Sequence, residues 1–393
     1  MRIALQTFGC RLNHAESRDL DALLRAAGHL RVSCDNNPDL VLVRGCSVTA
    51  RAERDSLKAI AHLRARLPNA RIIPLGCLPN AESLPLHLLV GDSLSGAPRP
   101  TASWSRAFLK VQDGCNGACA FCIVPRFRGR AVSVPFAQVL DRARAFLAAG
   151  YRELVVTGCN LALYHEAGRN LADVLDALAR LEGPAPHRIR VGSLEPGLCG
   201  ADVLDVFAAH ANICRFLHLS LQSGAERVLA RMNRPYTADD VAAFCARATQ
   251  LLGPRLALGA DLIAGFPGET EADHADTVAF LERFPFVNLH VFPYSERPGT
   301  PAATFPDAVP RALRRARAHA LEALGAAART AFARTFVGQT VEVCVEGTGL
   351  RGWTAEYLPC RLAMPASRRA LVSVRVAAVQ GDELRAEERD PPS

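Results

Sequence analysis

Residues 108–122 read Phe108-Leu109-Lys110-Val111-Gln112-Asp113-Gly114-Cys115-Asn116-Gly117-Ala118-Cys119-Ala120-Phe121-Cys122. A strand candidate, 108–112, runs straight into a glycine-containing loop with the spacing C-x3-C-x2-C. Three thiolates on one loop can hold three irons of a 4Fe–4S cube and leave the fourth iron open. A structural zinc site wants four closed ligands, and no fourth Cys or His lies close by in sequence. Simple burial does not account for three cysteines on such a loop. Five further strand candidates follow, at 153–158, 188–193, 216–221, 256–263 and 288–293, with helical stretches near 135–149, 170–181, 200–210, 237–252 and 271–283. Repeated βα units predict a parallel barrel, here six-stranded and incomplete, a partial (βα)6 barrel.

Upstream, a strand-then-Gly-Cys pattern occurs three times. Residues 2–7 lead to Gly9-Cys10, Leu40–Val43 to Gly45-Cys46, and residues 72–75 to Gly76-Cys77, with helices expected at 15–27 and 50–66. This predicts an N-terminal open α/β sheet with the three cysteines at the C-terminal ends of strands, the edge where ligands bind. Two readings stay open for Cys10, Cys46 and Cys77: three buried cysteines, or the ligands of a second cluster. Residues 91–105 read as a linker. Residues 308–335 form a long Arg/Ala helix. Runs such as Thr340–Val345 and Ala370–Val379 predict a small C-terminal β-barrel. The α/β chain thus divides at 1–105, 106–335 and 336–393.

The 393 residues are 49% hydrophobic and 22% charged, which excludes global disorder. No apolar run reaches the roughly 18 residues of a membrane span, and the N-terminus lacks a secretory h-region, so a cytoplasmic protein with no membrane partner is expected. Net charge is +7. Residues 1–107 contribute +5, the segment 306–335 contributes +4, and 336–393 contribute −1. The basic parts can face an anion such as nucleic acid, with Arg311, Arg314, Arg315 and Arg317 as phosphate candidates; Arg scattered over solvated faces is the plainer reading. Seven further cysteines (Cys34, Cys159, Cys199, Cys214, Cys245, Cys344, Cys360) show no ligand spacing and read as mostly small buried hydrophobes. Cys159, at a strand end, is the exception. None of the 11 histidines has metal spacing.

The C-x3-C-x2-C loop after the first barrel strand resembles that of radical S-adenosylmethionine enzymes. Further motifs narrow the resemblance. Thr7-Phe8-Gly9-Cys10-Arg11-Leu12-Asn13-His14-Ala15-Glu16-Ser17 and Gly45-Cys46-Ser47-Val48-Thr49 resemble the methylthiotransferase N-terminal domain. Arg190-Val191-Gly192-Ser193-Leu194-Glu195-Pro196, His218-Leu219-Ser220-Leu221-Gln222-Ser223-Gly224, Arg231-Met232-Asn233-Arg234, Gly265-Phe266-Pro267-Gly268-Glu269-Thr270 and His290-Val291-Phe292-Pro293-Tyr294-Ser295 resemble its radical core. Residues 336–387 are similar to the family's small TRAM-like RNA-binding barrel. Cys10-Arg11-Leu12-Asn13 and Arg297-Pro298-Gly299-Thr300-Pro301-Ala302-Ala303 resemble the branch that acts on N6-threonylcarbamoyladenosine beside the tRNA anticodon.

The resemblance implies two 4Fe–4S clusters, one on Cys115, Cys119 and Cys122 and an auxiliary one on Cys10, Cys46 and Cys77. It implies S-adenosylmethionine as methyl donor and as radical source, hydrogen abstraction from an unreactive C–H bond, and sulfur insertion there. It also implies tRNA and an electron donor such as flavodoxin or ferredoxin as partners. Cofactor contacts are expected from Gly158 and Asn160, Ser193 and Glu195, Gln222 and Ser223 at successive strand ends, from Gly265 and Gly268 where backbone approaches adenine, and from Phe121. Arg11 and Asn13 are the candidate substrate residues. The alternatives are the same chemistry on isopentenyladenosine or on a ribosomal-protein aspartate, and, from another class, a non-catalytic metal-bearing RNA-binding protein.

Overall fold

The computed structural model describes residues 1–82 and 104–387; most of the expected linker at 91–105 lies outside them. The N-terminal sheet is parallel, in the order β2-β1-β3-β4, from β1 (Arg2–Thr7), β2 (Leu30–Arg31), β3 (Leu40–Gly45) and β4 (Arg71–Gly76). Its strands bury both faces. Leu40 and Leu42 pack with Ile3, Ile73, Leu20 and Leu24 under helix α1 (Arg11–Ala26), while Val41 and Val43 pack with Ala4, Ile72, Ile60 and Leu63 under α2 (Ala50–Arg66). Two-sided burial explains why these strands read as continuous apolar runs. Helix α1 starts four residues before the expected position 15. Its first turn, Arg11 to His14, shows no apolar period because those side chains serve neighbouring elements.

The central unit has six parallel positions. β5 (Ala107–Lys110), β8 (Glu153–Thr157) and β9 (Arg188–Val191) form one sheet. β10 (Ser193–Leu194), β11 (Phe216–Gln222), β12 (Ala257–Ala264) and β13 (Phe286–Pro293) form the next. β9 and β10 are one expected strand interrupted at Gly192, and an isolated bridge from Ile189 to Ile213 joins the two sheets. Gln112–Asp113 (β6) leaves the sheet to pair with Val132–Ser133 (β7) and frames the cysteine loop. Leu217, Leu219, Leu221, Leu258, Ala260 and Leu262 enter the main core under the outer helices. Strand alternation therefore turns Phe216, His218, Gly259, Asp261 and His290 to the barrel interior.

Strands β14 (Thr340–Glu346), β15 (Arg351–Thr354), β16 (Pro359–Arg361), β17 (Leu371–Gln380) and β18 (Glu383–Ala386) close into a small barrel in the order β14-β15-β16-β18-β17. It docks through a fully buried ionic knot. Glu153 accepts from Arg188 at 2.6 Å and from Arg190 at 2.8 Å, and those guanidinium groups also donate to the Trp353 and Thr354 carbonyls at 2.7 and 2.8 Å.

The long helix spans Arg311–Arg334. Two of its expected phosphate contacts are corrected here. Arg314 is buried, donating to the Val309 and Tyr294 carbonyls, and Arg317 is buried on Glu269. Only Arg311 and Arg315 of that set face solvent. Many arginines are thus interior and paired rather than scattered outside. Among the described residues, no helix is long and apolar enough to cross a membrane.

Candidate functional site

The cysteine loop is held by backbone as much as by side chains. Gly114 takes φ +64°, and a Cβ there would lie 2.0 Å from the Arg130 carbonyl oxygen, so the loop closes only around glycine. Gly117 leaves a second opening: its missing Cβ would sit 3.3 Å from Cys115 Sγ and 3.7 Å from Cys119 Sγ. Burial pushes the Cys122 thiol up to about 11, and the Cys119 thiol also upward, against the pull of Arg234. Only the thiolate form is a metal ligand, so a cluster on this loop would hold these thiols deprotonated against that rise.

Arg234 donates to Cys119 Sγ at 2.9 Å and pairs with Glu195 at 2.9 Å. Asn160 donates to the other Glu195 oxygen at 2.5 Å, and its amide lies 4.0 Å from Cys115 Sγ. The ends of the first three barrel strand positions are thereby joined. Of the expected cofactor residues, Asn160 and Glu195 stand beside the loop, and Ser193 is exposed next to them. Gln222 takes φ +69°, a conformation uncommon outside glycine that ends β11 abruptly.

Other expected residues have different partners. The Ser223 hydroxyl is buried against Thr277 Oγ1 at 3.1 Å and accepts from the Ala225 N–H, so it is not free for a ribose. Gly265 and Gly268 take φ +72° and +80°, and a Cβ there would meet Arg314 at 2.4 Å and Arg231 at 3.0 Å. Phe121 packs edge-on against Phe266 at 6.4 Å. Gly158 leaves room for the Gln112 side chain, which a Cβ would meet at 2.9 Å. These are the contacts each residue makes within the protein.

The second cysteine trio lies at the C-terminal edge of the N-terminal sheet. Gly9, at φ +98°, lets Cys46 in: a Cβ would stand 3.0 Å from Cys46 Sγ. Burial pushes the Cys46 thiol up to about 11, and the charges of Cys10 and Cys77 add to the rise. Cys10, by contrast, is exposed at the N-cap of α1. Arg128, six residues beyond Cys122, donates to Cys77 Sγ at 3.1 Å. One sulfur of each trio thus accepts from a guanidinium whose side chain is largely buried.

Asn13 does not face a substrate. It is fully buried, donates to the Phe8 and Gly45 carbonyls at 2.9 Å, and accepts from Arg128 at 2.7 Å. Arg11 stays available on one side. Its guanidinium reaches the Tyr357 hydroxyl at 3.1 Å, and its charge helps lower the pKa of His218, after burial. The Arg297 motif anchors the N-terminal domain: Arg297 pairs with Glu53 on α2, and Ser295 accepts from the Ala50 N–H at 3.1 Å.

Sequence spacing missed the interior group of His218, Asp261 and His290. Their ligand atoms lie within 4.8 Å of one another, and His218 Nε2 stands 3.0 Å from Asp261 Oδ1. Gly259 opposite is needed for His218, since a Cβ would come within 2.5 Å of Nδ1. The available signal was a polar residue at inward parity on three adjacent strands. Arg128 and Arg234 were missed because nothing in spacing marks an arginine as a sulfur partner. Cys159, the cysteine set apart above, donates to Asp113 at 3.3 Å.

The chain matches the Radical SAM superfamily over residues 109–281 and the "Uncharacterized protein family UPF0004" over residues 2–90. It is 33% identical to a threonylcarbamoyladenosine tRNA methylthiotransferase, MtaB, of Chlamydia pneumoniae, covering 87% of this chain and 86% of the relative. The chain belongs to the radical S-adenosylmethionine methylthiotransferases. The MtaB protein of Bacillus subtilis is 31% identical over 88% of this chain and 84% of its own. A tRNA-2-methylthio-N(6)-dimethylallyladenosine synthase of Chlorobium limicola is also 31% identical, covering 88% and 87%. In fold, the chain is similar to the radical S-adenosylmethionine methyltransferase TsrM of Kitasatospora setae, with TM-score 0.57, 14% identity and 77% of each chain covered. This methylthiotransferase is accordingly an enzyme that uses a 4Fe–4S cluster and S-adenosylmethionine.

Proposed function

We propose that the enzyme converts N6-threonylcarbamoyladenosine beside the tRNA anticodon to its 2-methylthio derivative. The observation that carries the reading is the pair of cysteine trios, each with a buried guanidinium on one sulfur. Cys115, Cys119 and Cys122 hold the cluster that engages S-adenosylmethionine, and Cys10, Cys46 and Cys77 hold the auxiliary one. When bound, these groups supply one-electron cleavage of a sulfonium, a hydrogen-abstracting radical and the sulfur to be inserted.

The protein's part is placement. Asn160 and Glu195, locked together beside Cys115 and Cys119, present a carboxylate and an amide for the cofactor's ammonium and ribose. The N-terminal sheet, tied to the barrel by Glu53–Arg297, carries the second trio at its C-terminal edge. The polar interior wall of His218, Asp261 and His290 gives the target base hydrogen-bonding partners. Residues 1–105, 106–335 and 336–393 act as sulfur-bearing, radical and RNA-facing units. A cytoplasmic location and a flavodoxin- or ferredoxin-class reductant follow from this chemistry.

For the substrate, the MtaB relatives and Arg11 point the same way. The threonylcarbamoyl group ends in a carboxylate that a guanidinium can pair bidentately, whereas an isopentenyl group offers nothing to pair. Arg11 follows Cys10 directly, and its charge reaches the barrel interior at His218. Arg11→Gln is expected to lower methylthiolation of threonylcarbamoylated tRNA about tenfold or more, the effect of losing one charge-assisted contact worth about 1.5–3 kcal/mol, while iron content stays at the parent level. Mass spectrometry of digested tRNA nucleosides reads the first and colorimetric iron the second. Equal product from both proteins would remove Arg11 from recognition, and no product from the parent on that tRNA would sink the proposed function.

A further inference from the structure

Arg128 stands where the two cysteine trios are physically joined. It lies on the short helix Val124–Arg128, directly after the loop of Cys115 to Cys122, yet its Nε donates to Cys77 of the other trio at 3.1 Å. Its remaining nitrogens donate to Glu16 and Asp113 at 2.9 and 3.0 Å and to Asn13 at 2.7 Å. Only 8% of the side chain is exposed. All its donor directions are therefore spoken for, and one is aimed at sulfur.

The charges in this bracket do not cancel without that sulfur. Glu16 pairs with Arg128, Lys110 and Arg44, and Asp113 pairs with Arg128 and Lys110. Three cations thus share two carboxylates. Buried charge is tolerated when it is paired, and the acceptor that Nε reaches is Cys77. Bound to a metal as a thiolate, Cys77 would supply the third negative charge.

We infer that Arg128 is a positioning residue that sets the reduction potential of the cluster carried by Cys10, Cys46 and Cys77, and that it does so from the loop carrying the other cluster. The inference rests on the two-cluster reading above. A charged donor on a ligand sulfur stabilises the reduced, more negative state of a cluster, so it raises the potential; cluster potentials respond to such hydrogen bonds and to net charge. Because the guanidinium belongs to the radical loop, any movement of that loop also moves the donor on Cys77. The two sites are linked by one side chain.

The test uses the full chain with Cys115, Cys119 and Cys122 all replaced by alanine, so that any remaining cluster is the second one. Iron content is measured first, and the midpoint potential is then read by EPR-monitored redox titration. The background protein is expected to retain about four irons per chain. Adding Arg128→Gln should keep that iron and move the midpoint to more negative values. Arg128→Lys, which retains the charge and loses the fork, should move it less in the same direction and stands in should the Gln variant not assemble. An iron-replete Arg128→Gln or Arg128→Lys protein with the background midpoint overturns the inference and leaves the two-cluster reading intact. A background protein that binds no iron overturns the two-cluster reading, and the inference with it.

Discussion

Replacing Cys115, Cys119 and Cys122 together by alanine is expected to abolish S-adenosylmethionine cleavage and to remove about half of the bound iron. Replacing Cys10, Cys46 and Cys77 should remove the other half and spare uncoupled cleavage. Iron near eight per chain in the parent and near four in each triple variant follows from two 4Fe–4S sites. Loss of one site can spare the other because the first trio is built on a loop framed by β6, β7 and Gly114 and the second on the edge of a separate sheet with its own core, with Arg128 bridging them. Released 5′-deoxyadenosine is the readout for cleavage. Its continued release from the Cys115/Cys119/Cys122 variant would end the assignment of that loop. An unchanged iron count in the Cys10/Cys46/Cys77 variant would return those cysteines to plain burial.

The largest stability effect is expected at Glu153. Its carboxylate is fully buried, and burial alone would push its pKa up; the guanidinium groups of Arg190, Arg188 and Arg106 outweigh this and hold it well below the usual carboxylate range. Glu153→Ala leaves buried Arg190 without a carboxylate partner and Arg188 with only Glu342 at 3.4 Å, a loss of about 3–5 kcal/mol, which is a large share of the roughly 5–15 kcal/mol that keeps a domain folded. The same arginines hold the Trp353 and Thr354 carbonyls, so the C-terminal barrel should become more open to limited proteolysis. Because the folded-state pKa is depressed, this contribution is fully present above the unfolded carboxylate value of about 4.3 and is lost as pH falls below it. Urea unfolding at pH 7 measures the loss. A midpoint within error of the parent's would show that the knot contributes no net stability.

Much of the fold was legible because both-face burial and βα alternation leave strong patterns. Leu40–Val43 is an apolar run bounded by turns, the six barrel strands alternate with helices, and each appears close to its expected place. What was illegible depends on contacts distant in sequence. The start of α1 was hidden because Arg11 and Asn13 answer to Tyr357 and Arg128 rather than to their own helix. Arg188, Arg190, Arg314 and Arg317 look like surface charge in a chain rich in arginine, and only the structure gives them buried carboxylate or carbonyl partners. At the site, the cysteines could be found by spacing. Ser223 and Gly265 follow strand ends and Phe121 lies in the cysteine loop, but those positions do not reveal that each also packs within the protein, on Thr277, Arg314 and Phe266. His218, Asp261 and His290 come together only through strand register, since His290 stands opposite Asp261 on β13 and His218 lies on the next strand over.

The most direct measurement is nucleoside mass spectrometry after incubating the purified, cluster-loaded protein with S-adenosylmethionine, a reductant and two tRNA substrates. One carries N6-threonylcarbamoyladenosine beside the anticodon; the other carries isopentenyladenosine as its only modified base there. The 2-methylthio derivative is predicted on the first tRNA and not on the second. Product on the second with none on the first would contradict the account.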